Sequence, residues 1–214
     1  MVYGPPTGMG GASGFWDGLR SNVRVTHWQT LIGKDVARVA ASVPAVARAL
    51  VVDLFAGSGN TLYWLLRHLP GARGVGFESD AGVFRLTRKN LAALTLPIDI
   101  LNTGYLSGLT GLSVAPDELL IAFIAPPWGD ALDRTSGLDL RRTMPPITEI
   151  VDFLFHKFSR DRLLCAIQVH ETVLPASVAE LRTRFEWSTL RVYELNVRGR
   201  ITDFCSGARA GRHR

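Results

Sequence analysis

Cysteine is nearly absent from this chain: Cys165 and Cys205 are the only two among 214 residues. One lies in an apolar run and the other near a polar terminus, so neither a disulfide framework nor a zinc pattern is expected. The histidines, His27, His68, His156, His170 and His213, do not recur at metal-ligand spacing, and no metal is expected. No apolar run is long enough to span a bilayer, which argues against a membrane partner. Residues 1–14 are rich in Gly and Pro, with no charged n-region or apolar h-region, so they do not read as a secretory signal. Internal repeats and a second-domain boundary are also missing. A reducing, cytoplasmic setting is the expectation.

What is present supports one substantial core. Hydrophobic residues make up 47% of the chain, enough at this length for a single domain. The net charge is +5 and concentrates late, where Arg198, Arg200, Arg209, Arg212 and Arg214 are opposed only by Asp203. Such a tail either holds phosphates by counterion release or is a solvated chain end. The organisation expected is a flexible, aromatic segment over 1–28, a core domain over 29–198 and a basic tail over 199–214. Within the first segment, Phe15 to Trp28 mixes aromatics with Arg20 and Arg24.

Apolar strands and amphipathic helices alternate through the core. Val36, Val39, Ala40, Val43 and Val46 form a helical stripe, with Pro44 marking a break or a second helix. Short buried strands are expected at Val51–Leu54, Gly74–Phe77, Ile98–Leu101, Leu119–Ala125 and Leu163–Val169. Helices are expected after Asp80, over Ile147–Phe158 and over Pro175–Phe185. Leu190–Val197 alternates like a strand antiparallel to its neighbour. The expected fold class is α/β: a Rossmann-like, mostly parallel sheet with helices on both faces and an antiparallel last strand.

The stretch VVDLFAGSGNTLYWL, Val51 to Leu65, carries the first chemical signal. A strand ends at Asp53, turns through Phe55-Ala56-Gly57-Ser58-Gly59, and feeds a helix capped by Asn60 or Thr61. Glycine lets a ligand approach the backbone, and the helix N-terminus offers unpaired N–H groups. A dinucleotide fingerprint would need a third glycine, and Leu62 stands there instead. An acidic residue before the turn suits a ligand carrying an ammonium group. Glu78, at the end of the second strand, can accept hydrogen bonds from two ribose hydroxyls. The fourth strand runs into Pro126-Pro127-Trp128-Gly129, where two prolines end the strand and stiffen the loop. That places Trp128 to stack on a flat ligand.

The spelling D-x-F-x-G-x-G resembles motif I of the class I S-adenosylmethionine (SAM)-dependent methyltransferases. Together, DLFAGSGNT and APPWGD are most similar to the trimethylguanosine synthase-like (RNA cap guanine-N2) methyltransferases, whose motifs read much like GxGGNT and SPPWGG. GLDL at Gly137–Leu140 and MPP at Met144–Pro146 fall in the corresponding region. The ribosomal small-subunit guanine-N2 methyltransferases, with DLFAGSG and a DPPY-type motif, are a second relative.

The resemblance implies SAM as cofactor and RNA as partner. It assigns Asp53, Phe55, Ala56, Gly57, Gly59 and Asn60 to the SAM pocket and Glu78 to the ribose. Asn102 or Thr103 would meet the adenine edge. Pro126, Pro127 and Trp128 would shape the target-base pocket, with Ala125 beside the cofactor. Ala125 is also the main departure, because the family has Ser or Asp there to polarise the exocyclic amine. Either the Ala125 and Pro126 carbonyls suffice, or Asp130 stands in, or amino transfer to RNA guanine N2 is not the reaction and the chain is a small-molecule methyltransferase or a non-catalytic SAM- or RNA-binding module. The family's LPRN-like ending of strand five is replaced by Gln168-Val169-His170-Glu171; His170 would emerge at the catalytic edge of the sheet, with a plain strand-end histidine the favoured reading.

Overall fold

The computed structural model describes residues 28–43, 48–92, 94, 96–158, 162–195 and 199–207. In chain order these give α1 (Trp28–Ala40), β1 (Arg48–Asp53), α2 (Asn60–His68), β2 (Arg73–Phe77) and α3 (Ala81–Leu91). Next come β3 (Ile98–Leu101), α4 (Tyr105–Thr110), β4 (Glu118–Ile124), a 3-10 turn (Gly129–Ala131) and a small hairpin, β5 (Leu132–Asp133) and β6 (Gly137–Leu138). α5 (Ile147–Lys157), β7 (Arg162–His170), α6 (Pro175–Arg182), β8 (Trp187–Leu195) and β9 (Gly199–Gly207) follow.

The main sheet has the order β3-β2-β1-β4-β7-β9-β8. Its first five strands are parallel; β9 runs antiparallel to both β7 and β8. After β3 the chain returns to the far side of β1 to form β4, so the strand order reverses between β1 and β4. Open α/β sheets leave a crevice outside the C-terminal ends of the strands at such a switch point.

Alternation along the central strands builds two core layers. Leu50, Val52, Leu120, Ala122, Ile124, Cys165 and Ile167 face α5 and α6, where Ile147, Ile150, Leu154 and Leu181 are buried. Val51, Leu119, Ile121, Phe123, Leu164 and Ala166 face α1 and α2, where Ile32, Val36, Leu62 and Leu65 are buried. Each fully buried aliphatic side chain contributes about 1.5–3 kcal/mol, so β4, buried at every position, is strongly anchored. Tyr193 on β8 donates to Asp35 on α1 at 2.8 Å, fastening the outer end of the sheet to that helix. No helix among the described residues is long and apolar enough to cross a membrane.

Three expectations change. The N-cap of α2 is Gly59 (φ 71°), with no side-chain cap, and Asn60 is the first helical residue. A non-glycine residue is rarely stable in that left-handed conformation, so the glycine itself makes the turn. Gly199–Gly207, expected to open a basic tail, is β9; interspersed arginines mask the strand-forming Ile201-Thr202 and Phe204-Cys205. Helix α4 and the β5–β6 hairpin were not expected, being too short for periodicity to register. Pro44, most of the N-terminal aromatic segment and residues 208–214 lie outside the described residues.

The sheet edge remote from the crevice carries a bidentate ion pair. Arg73 Nε and a terminal guanidinium nitrogen each reach Glu118 at 2.9 Å, and the Ala115 amide donates to the same carboxylate at 3.0 Å. The Arg73 hydrogen bonds hold the Glu118 carboxyl down at about 2, against an ordinary value of 4.5. A depressed carboxyl stabilises the fold above its unfolded value, and that contribution fades as pH falls toward the folded value. Glu118→Gln is expected to lose about 2 kcal/mol in urea melts at pH 7, with the gap to wild type narrowing between pH 5 and pH 3.

Candidate cofactor and acceptor site

The crevice begins where β1 ends. Asp53 is 1% exposed, its Oδ1 accepting from the Phe55 amide at 3.1 Å. The turn beyond it is pinned to both neighbouring strands: Leu54 N–H donates to Phe123 O at 3.1 Å and Ala56 N–H to Phe77 O at 2.9 Å. Gly57 (φ 52°) then gives its N–H to Glu78 Oε2 at 3.0 Å, while its carbonyl accepts from Thr87 Oγ1 at 2.6 Å. A Cβ on Gly59 would lie 3.0 Å from Leu91 and 3.2 Å from Thr87, so α3 closes directly on the turn.

Glu78 is organised by backbone. Its second oxygen accepts from Asp80 N–H at 2.7 Å, and Asp80 in turn caps α3 through the Gly82 and Val83 amides. Asn102 donates from Nδ2 to the Glu78 carbonyl at 2.8 Å, and Thr103 N–H reaches the same carbonyl at 3.1 Å. Asn102 and Thr103 thus both brace the loop carrying Glu78, and the Asn102 side chain is exposed. The sequence-predicted cofactor residues on β1, β2 and β3 are brought together.

The electrostatics of this corner are one-sided. Burial pushes the Asp53 carboxyl up to about 7, an effect opposed by the Phe55 amide and reinforced by the nearby charge of Glu78. Among the described residues no ion pair involves Asp53 or Glu78. Asn60 is 7% exposed, and its Oδ1 is buried with no protein donor. Two carboxyls, an unsatisfied amide oxygen and an uncapped helix N-terminus fit a compact ligand that brings its own cation, N–H donors and carboxylate. They disfavour one that brings a pyrophosphate.

The acceptor side rises from β4. Ala125 is half-buried, Pro126 buried and Pro127 exposed; Trp128 is half-buried against the core, and Asp130 is exposed on the 3-10 turn. Ala125 presents only a methyl group. The loop is not free-standing: Leu138 N–H donates to Thr172 O at 2.8 Å, and Leu174 N–H donates back to Leu138 O at 2.8 Å. The hairpin after Trp128 is thereby fastened to the segment after β7. Gly137 (φ 90°) allows it, since a Cβ there would sit 2.6 Å from Thr172 O. The buried Thr143 hydroxyl accepts from Ile147 N–H at 3.1 Å and donates to Pro145 O at 2.9 Å, tying the Met144–Pro146 turn to the start of α5.

Two aromatic pairs at this edge were not anticipated. Phe55 and Tyr105 stand 5.4 Å apart, bringing α4 to the cofactor turn, and burial raises the Tyr105 hydroxyl pKa. His170, expected to be an ordinary strand end, lies 5.5 Å from Trp128 with the two rings perpendicular at 89°. The signal for both was position, an aromatic or imidazole within a few residues of a strand's C-terminal end.

The strand order and switch-point crevice are those of the Rossmann-like fold of class I SAM-dependent methyltransferases. Solved structures sharing it include the N-terminal domain of human METTL16 in complex with S-adenosylhomocysteine (TM-score 0.57, 16% identity, 82% of this chain and 66% of that one). The Escherichia coli methyltransferase YhhF aligns with a TM-score of 0.50 at 20% identity over 84% of this chain and 86% of its own. A candidate rRNA methylase from Clostridium thermocellum aligns with a TM-score of 0.51 at 13% identity over 86% and 100%. This chain spans just under two thirds of the METTL16 domain's length. No protein-family model and no curated protein matches the sequence.

The buried carboxyl makes a prediction about the ligand-free protein. A carboxyl whose folded pKa lies above its ordinary 3.8 keeps its proton longer in the folded state. Its contribution to stability therefore falls as pH rises from about 4 to 7. Asp53→Asn retains the acceptor for Phe55 N–H but does not titrate. In paired denaturation curves the variant should gain on wild type by about 3 kcal/mol between pH 4 and pH 8.

Proposed function

We propose that this chain is a SAM-dependent methyltransferase acting on a nucleobase exocyclic amine, guanine N2 in RNA. The observation that carries the cofactor is the pairing of Asp53 with Glu78 at a glycine turn, two carboxyls without an ionic partner among the described residues. Asp53 and the Asn60 Oδ1 would take the ammonium, the open N-terminus of α2 the carboxylate, Glu78 the ribose hydroxyls, and Asn102 the adenine edge. When bound, SAM supplies an already activated methyl group on a sulfonium.

The protein's own work is therefore alignment. Pro126 and Pro127 stiffen the loop, Trp128 provides a plane for the base, and the Ala125 and Pro126 carbonyls turn toward the amine in place of a side-chain acceptor. The rRNA-methylase naming of one structural neighbour is in line with an RNA acceptor. The missing side chain at Ala125 favours one second reading, a small-molecule acceptor whose nucleophile needs no polarisation.

Calorimetry on the intact protein should detect SAM and S-adenosylhomocysteine, with SAM affinity rising from pH 6 to pH 8 as Asp53 ionises; no binding at either pH would end the reading. Asp53→Asn should flatten that pH dependence. Labelled methyl transfer to total RNA is expected to exceed transfer to a metabolite extract, and the reverse result selects the small-molecule reading. Trp128→Ala should lower kcat/KM at least about 10-fold, the scale of one lost base stack, while cofactor affinity changes less than about 3-fold. A comparable loss of cofactor affinity would contradict the stacking role.

A further inference from the structure

We infer that His170 is a positioning residue for the acceptor: its imidazole, held by the backbone that follows β7, sets the plane of the Trp128 indole. This rests on the reading of Trp128 as the acceptor platform and adds a second residue to it.

β4 and β7 are paired neighbours up to Ile124 and Ile167. Trp128 and His170 therefore leave the same edge of the sheet side by side. Their perpendicular rings, 5.5 Å between centroids, have the spacing at which aromatic pairs attract. Trp128 is half-buried against the core, and its carbonyl accepts from the Ala131 N–H at 2.9 Å, so its backbone is held on the C-terminal side while the ring meets His170. His170 is fixed as well. Its Nδ1 lies against Thr172, whose carbonyl accepts from Leu138 N–H at 2.8 Å. The platform, the imidazole, Thr172 and the hairpin after the platform form one closed circuit.

The His170 Nδ1 sits 3.1 Å from the Thr172 N and 3.3 Å from the Thr172 carbonyl, accepting from the first in one tautomer and donating to the second in the other. Either way the ring is tied to Thr172, and His170 acts through Trp128.

The test uses the full chain labelled with 5-fluorotryptophan, in which Trp128→Phe identifies one of the five tryptophan 19F resonances. His170→Ala should shift and broaden the Trp128 resonance, while His170→Phe, which keeps a ring at that position, should leave it sharp. For the RNA acceptor, His170→Ala is expected to raise KM about 5- to 10-fold, the scale of one aromatic pair, and His170→Phe to restore it within about 3-fold. S-adenosylhomocysteine affinity, read by calorimetry, should stay within about 3-fold in both. A Trp128 resonance unmoved by His170→Ala overturns the proposal. So does a His170→Phe variant as impaired as His170→Ala. A wild type that binds no S-adenosylhomocysteine ends the methyltransferase reading and the acceptor role with it, whereas the ring pairing is still decided by the resonance.

Discussion

One glycine holds the crevice together. The Gly57 N–H is given to Glu78 just beyond β2, and its carbonyl accepts the Thr87 hydroxyl on α3. Through these two bonds the turn after β1, the end of β2 and the helix of the second crossover become one unit. Asn102 then draws the end of β3 onto the same loop. A residue other than glycine at position 57 would have to adopt φ 52° to keep both bonds. The corner is thus assembled by the Glu78, Thr87 and Asn102 side chains, each bonded to backbone of a neighbouring element.

The acceptor side follows a different logic. Ala125, Pro126 and Pro127 offer no side-chain hydrogen bond, and the loop owes its shape to prolines and to the hairpin fastened behind β7. For the methyl transfer proposed above, a stiff wall without polar side chains would suffice, because approach geometry governs the rate of a reaction with an activated donor more than proton transfer does. The absence of an acceptor side chain at position 125 and the anchoring at Thr172 are two sides of that design. What the loop lacks in polar groups it has in rigidity.

Much of this was legible in the sequence, and the reasons are specific. The parallel strands were readable because burial on both faces leaves continuous apolar runs, as in Leu119–Ile124. The turn at Gly57–Gly59 was readable because only glycine tolerates its backbone angles. Asp80 announced its helix as a cap should. The identity of the α2 cap was not readable, since Asn60 has the chemistry of a cap and the choice depended on a left-handed angle at Gly59. Nor was β9, whose pairing with β7 and β8 is a long-range event that local composition conceals. The pairing of His170 with Trp128 joins residues 42 positions apart in sequence on neighbouring strands, and only the sheet order brings them together.

That sheet order also says something about time. β9 is later in the chain than β8 yet lies between it and β7. A ribosome would therefore deliver β1 to β4, and with them the cofactor corner, long before β7 has a partner on its outer side. Until residue 207 emerges, the edge of β7 that ends in His170 is an open template for pairing with any extended chain. The turn between β1 and β2 can form as the chain is made, whereas the outer edge of β7 stays uncovered until β9 arrives.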